Sequence, residues 1–199
     1  MNILLLAPHA DDVQLGCGAT VARFIEEQHD IFWAIFAEDK PLDEEHMAVI
    51  QELGLEKSKC PYLHFSVRHI FERRQEVLDN LISIKSEFKP DLVIGPSLND
   101  VHQDHHTVAE EMVRAFKNSC SVICYELPWN HISFDVQLLV KLESRHIDKK
   151  LQMLRKFKSQ IPIRGRYFSE NFVRGLSVVR GIQLGSEYAE AFEIMRWVI

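Results

Sequence analysis

Short, uninterrupted apolar runs recur along the first two thirds of the chain. They are NILLLAP at residues 2–8, IFWAIFA at 31–37, DLVIGPS at 91–97 and SVICYELP at 121–128. A strand with one face in water alternates apolar and polar residues. A strand that is apolar throughout is covered on both faces. The stretches between the runs carry helical spacing instead. LDEEHMAVIQELGL has acids in its first turn and Gly54 near its end, and VQLGCGATVARFIEEQ follows the first run. RHIFERRQEVLDNLISIKSEF keeps Ile70, Val77, Leu81 and Ile84 on one side and meets a stop at Pro90. DHHTVAEEMVRAFKNS reads as a further helix and YLHFS as a further strand. Strand and helix in alternation predict an α/β fold whose mostly parallel sheet has helices on both faces.

The order is less regular after residue 126. LPWNHISFD (127–135) reads as a loop, SFDVQLLVKL and AFEIMRWVI as strands, and IDKKLQMLRKFKSQ and ENFVRGLSVVRGIQLG as helices. The 199 residues suit a single domain, 1–199, with a regular βα half over about 1–126 and a less regular part over 127–199. Lys and Arg number 23 against 29 Asp and Glu, a net charge of −6 that lacks the cationic field nucleic acids attract. Cys17, Cys60, Cys120 and Cys124 form no C-x-x-C pair and read as reduced core thiols. No apolar run reaches the length of a signal peptide or membrane span, so a cytoplasmic protein without a membrane partner is expected.

The first strand ends in PHADD (8–12), followed by LGCGAT (15–20). A glycine-rich turn there invites a nucleotide reading, with the glycines letting the next helix pack close to the first strand. The dinucleotide fingerprint, however, would require a third glycine where Val21 stands, and Asp11 and Asp12 would repel a pyrophosphate. His9 and Asp12 can instead supply one nitrogen and one oxygen to a divalent cation. Taken alone, the stretch is equally well read as a helix cap beside an ordinary polar histidine. NDVHQDHHTV (99–108) shifts the balance. It follows another buried strand and packs Asp100, His102, Asp104, His105 and His106 into seven residues. In open α/β sheets ligands bind beyond the carboxyl ends of the strands, so the two clusters can meet. His9, Asp12 and one histidine of the second cluster make a three-ligand set with an open position, the pattern of a catalytic zinc site that ferrous iron also suits. Asp11 is then free to act as a general base.

PHADD and HQDH together resemble the paired P-H-x-D-D and H-x-D-H motifs of the PIG-L/LmbE deacetylase family, and LGCGAT is similar too. The similarity in order and character runs from the first strand through KKLQMLRKFKSQ. It implies a Rossmann-like three-layer sandwich and a zinc-dependent enzyme that removes acetyl from N-acetylglucosaminyl compounds and related amides. By position it implies His9, Asp12 and His105 as metal ligands and Asp11 as general base on a metal-bound water. His102 would stand near the oxyanion and leaving amine, and Asp104 would orient a histidine. The mechanism expected from this set has a protonated His102 steadying the oxyanion, with the amine's proton coming from Asp11 or His102. Ala10, Val13 and Gln103 depart from the family's frequent residues without touching a ligand position.

The expected partner is a small amino-sugar substrate, and a homo-oligomer is left open. Arg68, after YLHFS, and His131, in the irregular loop, are the substrate-binding candidates, whereas surface or loop packing is the simpler role for Asp100, Trp129 and Asn130. Two rivals stand beside the deacetylase reading. One is a metallohydrolase of a non-sugar amide or ester; the other is a non-catalytic metal-binding protein, for which a spare base at Asp11 would be superfluous.

Overall fold

The computed structural model describes residues 1–198. Its seven strands are β1 (Asn2–Ala7), β2 (Asp30–Glu38), β3 (Tyr62–Ser66), β4 (Leu92–Gly95), β5 (Ser121–Tyr125), β6 (Leu138–Leu142) and β7 (Tyr188–Arg196). They form one sheet in the order β3-β2-β1-β4-β5-β7-β6. The first five are parallel, and β7 and β6 join antiparallel at one edge. The buried strands alternate between two cores. Ile3, Leu5 and Ala7 of β1 face one side, while Leu4 and Leu6 face the other. This is why the run is apolar throughout.

Seven helices cover the sheet: α1 (Asp12–Glu26), α2 (Lys40–Leu53), α3 (Arg74–Phe88), α4 (Gln103–Phe116), α5 (Ser144–Leu154), α6 (Ile161–Phe168) and α7 (Glu170–Leu184). Helices α3 and α4 pack on the Leu4/Leu6 side, and α1, α2 and α5 on the other. Helix α2 ends as its sequence indicates, with Gly54 in the left-handed region at φ 69°. The long amphipathic segment after β3 divides into a 3-10 turn (Ile70–Arg73) and α3. The basic helix stops at Leu154 instead of reaching Gln160, and the fully buried Phe157 anchors the chain beyond it. Helix α6 was not expected. Of the closing strand, β7 reaches Arg196, and Ile199 lies outside the described residues. All four cysteines are free and buried. No described helix is long and apolar enough to cross a membrane.

Sequence reasoning assigned the glycines of α1 to close packing on the first strand, and the structure corrects this. A Cβ on Gly16 would lie 2.5 Å from the ring of Tyr125 in β5, and one on Gly18 would meet Lys150 of α5 at 3.2 Å. Helix α1 breaks at Cys17 (φ −144°, ψ 27°). Beyond the break, Ala19 and Thr20 donate backbone N–H groups to the Glu190 carboxylate at 3.2 and 2.7 Å. Lys150 holds the same carboxylate at 2.7 Å, and both side chains are buried. A charged cap on the second half of α1 is thus supplied by β7, from the far end of the chain.

Gly16→Ala forces the buried Tyr125 ring to move and should cost about 1–3 kcal/mol. Gly175→Ala, in α7 with nothing within 4 Å of its would-be Cβ, should gain about 0.5–1 kcal/mol. Urea unfolding of the two variants measures both.

Candidate active site

Strands β1 and β4 are parallel neighbours, with Ile3, Leu4 and Leu5 in register with Leu92, Val93 and Ile94. Their carboxyl ends therefore lie side by side. From β1 the chain turns through Pro8–Ala10 into α1, and from β4 it runs through residues 96–102 into α4. The two clusters read from the sequence meet there. His9 Nδ1 is 3.1 Å from His105 Nε2, and Asp12 Oδ2 lies 3.2 Å from each of these nitrogens. A divalent ion bound tetrahedrally at about 2.0–2.1 Å separates its ligand atoms by about 3.3–3.4 Å, so the triangle matches a metal's coordination face. His9, His102 and His105 also offer donor atoms within 4.8 Å of one another. The donor chemistry and its spacing fit a divalent cation.

The rear of each histidine is held by a buried acid. His9 Nε2 lies 3.0 Å from Asp104 Oδ2, and His105 Nδ1 lies 2.7 Å from Asp100 Oδ2. Carboxylates behind ligand histidines fix the ring and raise its basicity. Asp104 also accepts the backbone N–H groups of Arg68 at 2.6 Å and Ile70 at 3.4 Å, and Asp100 accepts that of His102 at 2.8 Å. Asp12 caps nothing in its own helix; its carboxylate accepts the N–H of His9 at 2.7 Å, which tightens the turn.

Electrostatics follow from this arrangement. Burial pulls the His9 pKa down, but Asp12 and Asp104 outweigh it and raise it to about 9. His105 rises to about 10 against burial because Asp12 and Asp100 face it. Burial would push Asp12 up, but His105 and His9 hold it well below the carboxylate range. Its neighbour goes the other way. Asp11 is 2% exposed, its Oδ2 has no hydrogen-bond partner, and burial followed by the charge of Asp12 lifts its pKa to about 6, opposed by His9 and Arg164. His102 is half-buried, and burial with the charges of His105 and His9 lowers its pKa. These surroundings favour the neutral ring over the protonated one expected for the mechanism. Its Nδ1 accepts the Asp104 N–H at 3.2 Å, so in the neutral ring the proton sits on Nε2.

A cavity of about 640 Å³ opens over these groups. His9, Asp11, Asp12, His102 and His105 line it, together with Asp39, Leu42 and Asp43 near the start of α2 and Val67, Arg68 and His69 after β3. Trp129 and Asn130 of the loop after β5, and Arg164 and Tyr167 of α6, complete the wall. Arg68, a substrate-binding candidate in the sequence, lines the cavity. Its backbone is left-handed (φ 66°), held by its N–H on Asp104 and by Gln103, whose amide donates to its carbonyl. His131 is not in the cavity. A backbone bridge to Asp100 turns it inward, its ring lies parallel to Phe134 at 5.0 Å, and its side chain is buried 3.8 Å from Asp100. The direct substrate contact expected of His131 is thus corrected, and its neighbours Trp129 and Asn130, read as loop packing, face the cavity in its place. Asp100 serves His105. Arg164 and Tyr167 escaped the sequence reading because Pro162 and Gly165 interrupt helical periodicity in IPIRGRYF.

Comparison with known proteins bears on the family and the fold. The PIG-L family, described as GlcNAc-PI de-N-acetylase, matches residues 4–116. YaiS of Escherichia coli (strain K12), described as an uncharacterized deacetylase, is 25% identical over 170 residues, covering 79% of this chain and 91% of its own. The N,N'-diacetylchitobiose deacetylase of Pyrococcus horikoshii shares the fold at a TM-score of 0.78 and 18% identity, over 97% of this chain and 83% of that one. GalB of Pseudomonas putida KT2440, a 4-carboxy-2-hydroxymuconate hydratase, shares it at 0.78 and 15% identity, over 100% and 98%.

Asp104→Asn removes the carboxylate behind His9 and should weaken binding of Zn²⁺ or Co²⁺ by about 10- to 100-fold. Titration in competition with a chromophoric chelator reads this directly.

Proposed function

Because the chain belongs to the PIG-L family of GlcNAc-PI de-N-acetylases, we propose that it is a metal-dependent hydrolase that removes the N-acetyl group from a small amino-sugar-containing molecule. The observation that carries this reading is the pairing of a ready coordination face with an unsatisfied base. His9, Asp12 and His105 form the triangle, and Asp11, whose buried Oδ2 has no hydrogen-bond partner, lines the same cavity.

His9, Asp12 and His105 would hold zinc, or ferrous iron, which the same nitrogen and oxygen donors suit. When bound, such an ion supplies Lewis acidity that polarises the acyl carbonyl and acidifies water. The chain's own groups do the rest. Asp11 accepts a proton from the attacking water as its oxygen bonds to the acetyl carbon. The His102 Nε2–H donates to the oxygen that becomes negative in the tetrahedral species. Asp11 then returns the proton to the nitrogen as the C–N bond breaks, which leaves acetate and a free amine. Asp104 and Asp100 keep the rings of His9 and His105 in orientation throughout, and Arg68 reaches sugar hydroxyls from the cavity wall.

A panel of N-acetylhexosamine glycosides and simple acetamides, assayed for acetate, tests the reading. Acetate released from the glycosides supports it, and none released from any of them overturns it. Asp11→Asn should keep the fold and the metal while lowering kcat by about 10²- to 10⁴-fold. Near-normal turnover would remove Asp11 from the role. Dialysis against a chelator should abolish activity, and Zn²⁺ or Fe²⁺ should restore it.

A further inference from the structure

The cavity is larger than one sugar ring requires, and its surplus has a definite chemistry. At about 640 Å³ it falls within the range of sites that enclose a whole drug-sized ligand, about 300–1,000 Å³. Part of its wall comes from outside residues 4–116 matched by the family. There Trp129 and Tyr167 stack face to face, centroids 4.0 Å apart and planes 9° from parallel. Helix α6 is irregular at Arg164 (φ −125°, ψ 18°), one turn before Tyr167.

Arg164 is unlike most arginines of this chain. Eight of them, including the neighbouring Arg155 and Arg174, pair with a carboxylate. Among the described residues the exposed Arg164 side chain has no hydrogen bond and no ion pair, although it borders a cavity rich in acids. Its charge reaches Asp11 and Tyr167 without bonding to either. Asp39 and Asp43 line the cavity near the start of α2, so an anionic group is disfavoured there and favoured at α6. A planar guanidinium with unspent donors suits a carboxylate or phosphate in bidentate contact, and a flat aromatic pair beside it suits an unsaturated or cyclic group.

We propose that Arg164, with the Trp129–Tyr167 pair, forms a subsite for an anionic group, carboxylate or phosphate, on the part of the substrate beyond the N-acetylated sugar. This rests on the deacetylase reading for the place of the sugar. Arg164 binds and selects, and the acetyl group is removed by the residues already described.

The test compares three glycosides: p-nitrophenyl N-acetylglucosaminide, its p-carboxyphenyl counterpart and N-acetylglucosamine 1-phosphate. The intact enzyme should favour at least one of the two anionic glycosides in kcat/KM, and whichever it favours separates a carboxylate from a phosphate ligand. Arg164→Ala should lower the ratio of anionic to neutral kcat/KM by about 10- to 100-fold, mainly through KM. Arg164→Lys should recover part of the ratio. If the intact enzyme shows no anionic preference, or Arg164→Ala lowers all three substrates equally, the subsite is wrong while the deacetylase reading stands. If no glycoside loses acetate, binding decides. An Arg164-dependent rise in melting temperature with an anionic glycoside, absent with the neutral one, keeps the subsite while the deacetylase reading falls. No such rise overturns both.

Discussion

The pairing of β1 with β4 is the contact on which the site depends. His9 and His105 are 96 residues apart in the chain, and their ring nitrogens approach to 3.1 Å because the strands that precede them are parallel neighbours. The chain leaves β1 toward β2 on one side and reaches β4 on the other, so the sheet order reverses at this junction. The two connecting segments diverge there and leave room between them. That gap is where open α/β sheets place ligands.

Within it, a few buried charges divide the work by position alone. Asp12 faces two histidines and stays ionised. Asp11, next in sequence, lines the cavity, keeps a buried oxygen without a partner and holds its proton more tightly. Asp100 and Asp104 lie behind the histidines and also take backbone N–H groups from their own loops and from the turn after β3. Each acid therefore fixes a ring and a stretch of backbone together, and the cavity wall at Arg68 shares a carboxylate with His9. The hydratase GalB has the same architecture, and an architecture by itself does not fix a chemistry.

The last third of the chain supports the first. Glu190 of β7 caps the broken α1 with help from Lys150 of α5, and this steadies the helix that carries Asp12. Strand β7 extends the sheet beyond β5, while α6 closes the cavity with Arg164 and Tyr167. The part of the chain with the least regular pattern thus contributes both a cap and a wall.

Much was legible in the residues. Continuous apolar runs specified strands buried on both faces, since no other strand environment tolerates them. PHADD and HQDH named the metal-site candidates because two clusters of histidines and acids, each at the carboxyl end of a buried strand, can converge on one point. What lay beyond reach depended on distance in space. Sequence spacing carries no sign of which loop residue turns inward, so His131 was favoured over Trp129 and Asn130 until its bridge to Asp100 settled the direction. The glycines of α1 looked like a contact with strand one, yet their partners are Tyr125 and Lys150, more than a hundred residues away. Local pattern determined the elements and the candidate chemistry of this protein. Only the tertiary structure decided which side chains share one cavity, because that follows from strand order and helix placement, to which local periodicity is blind.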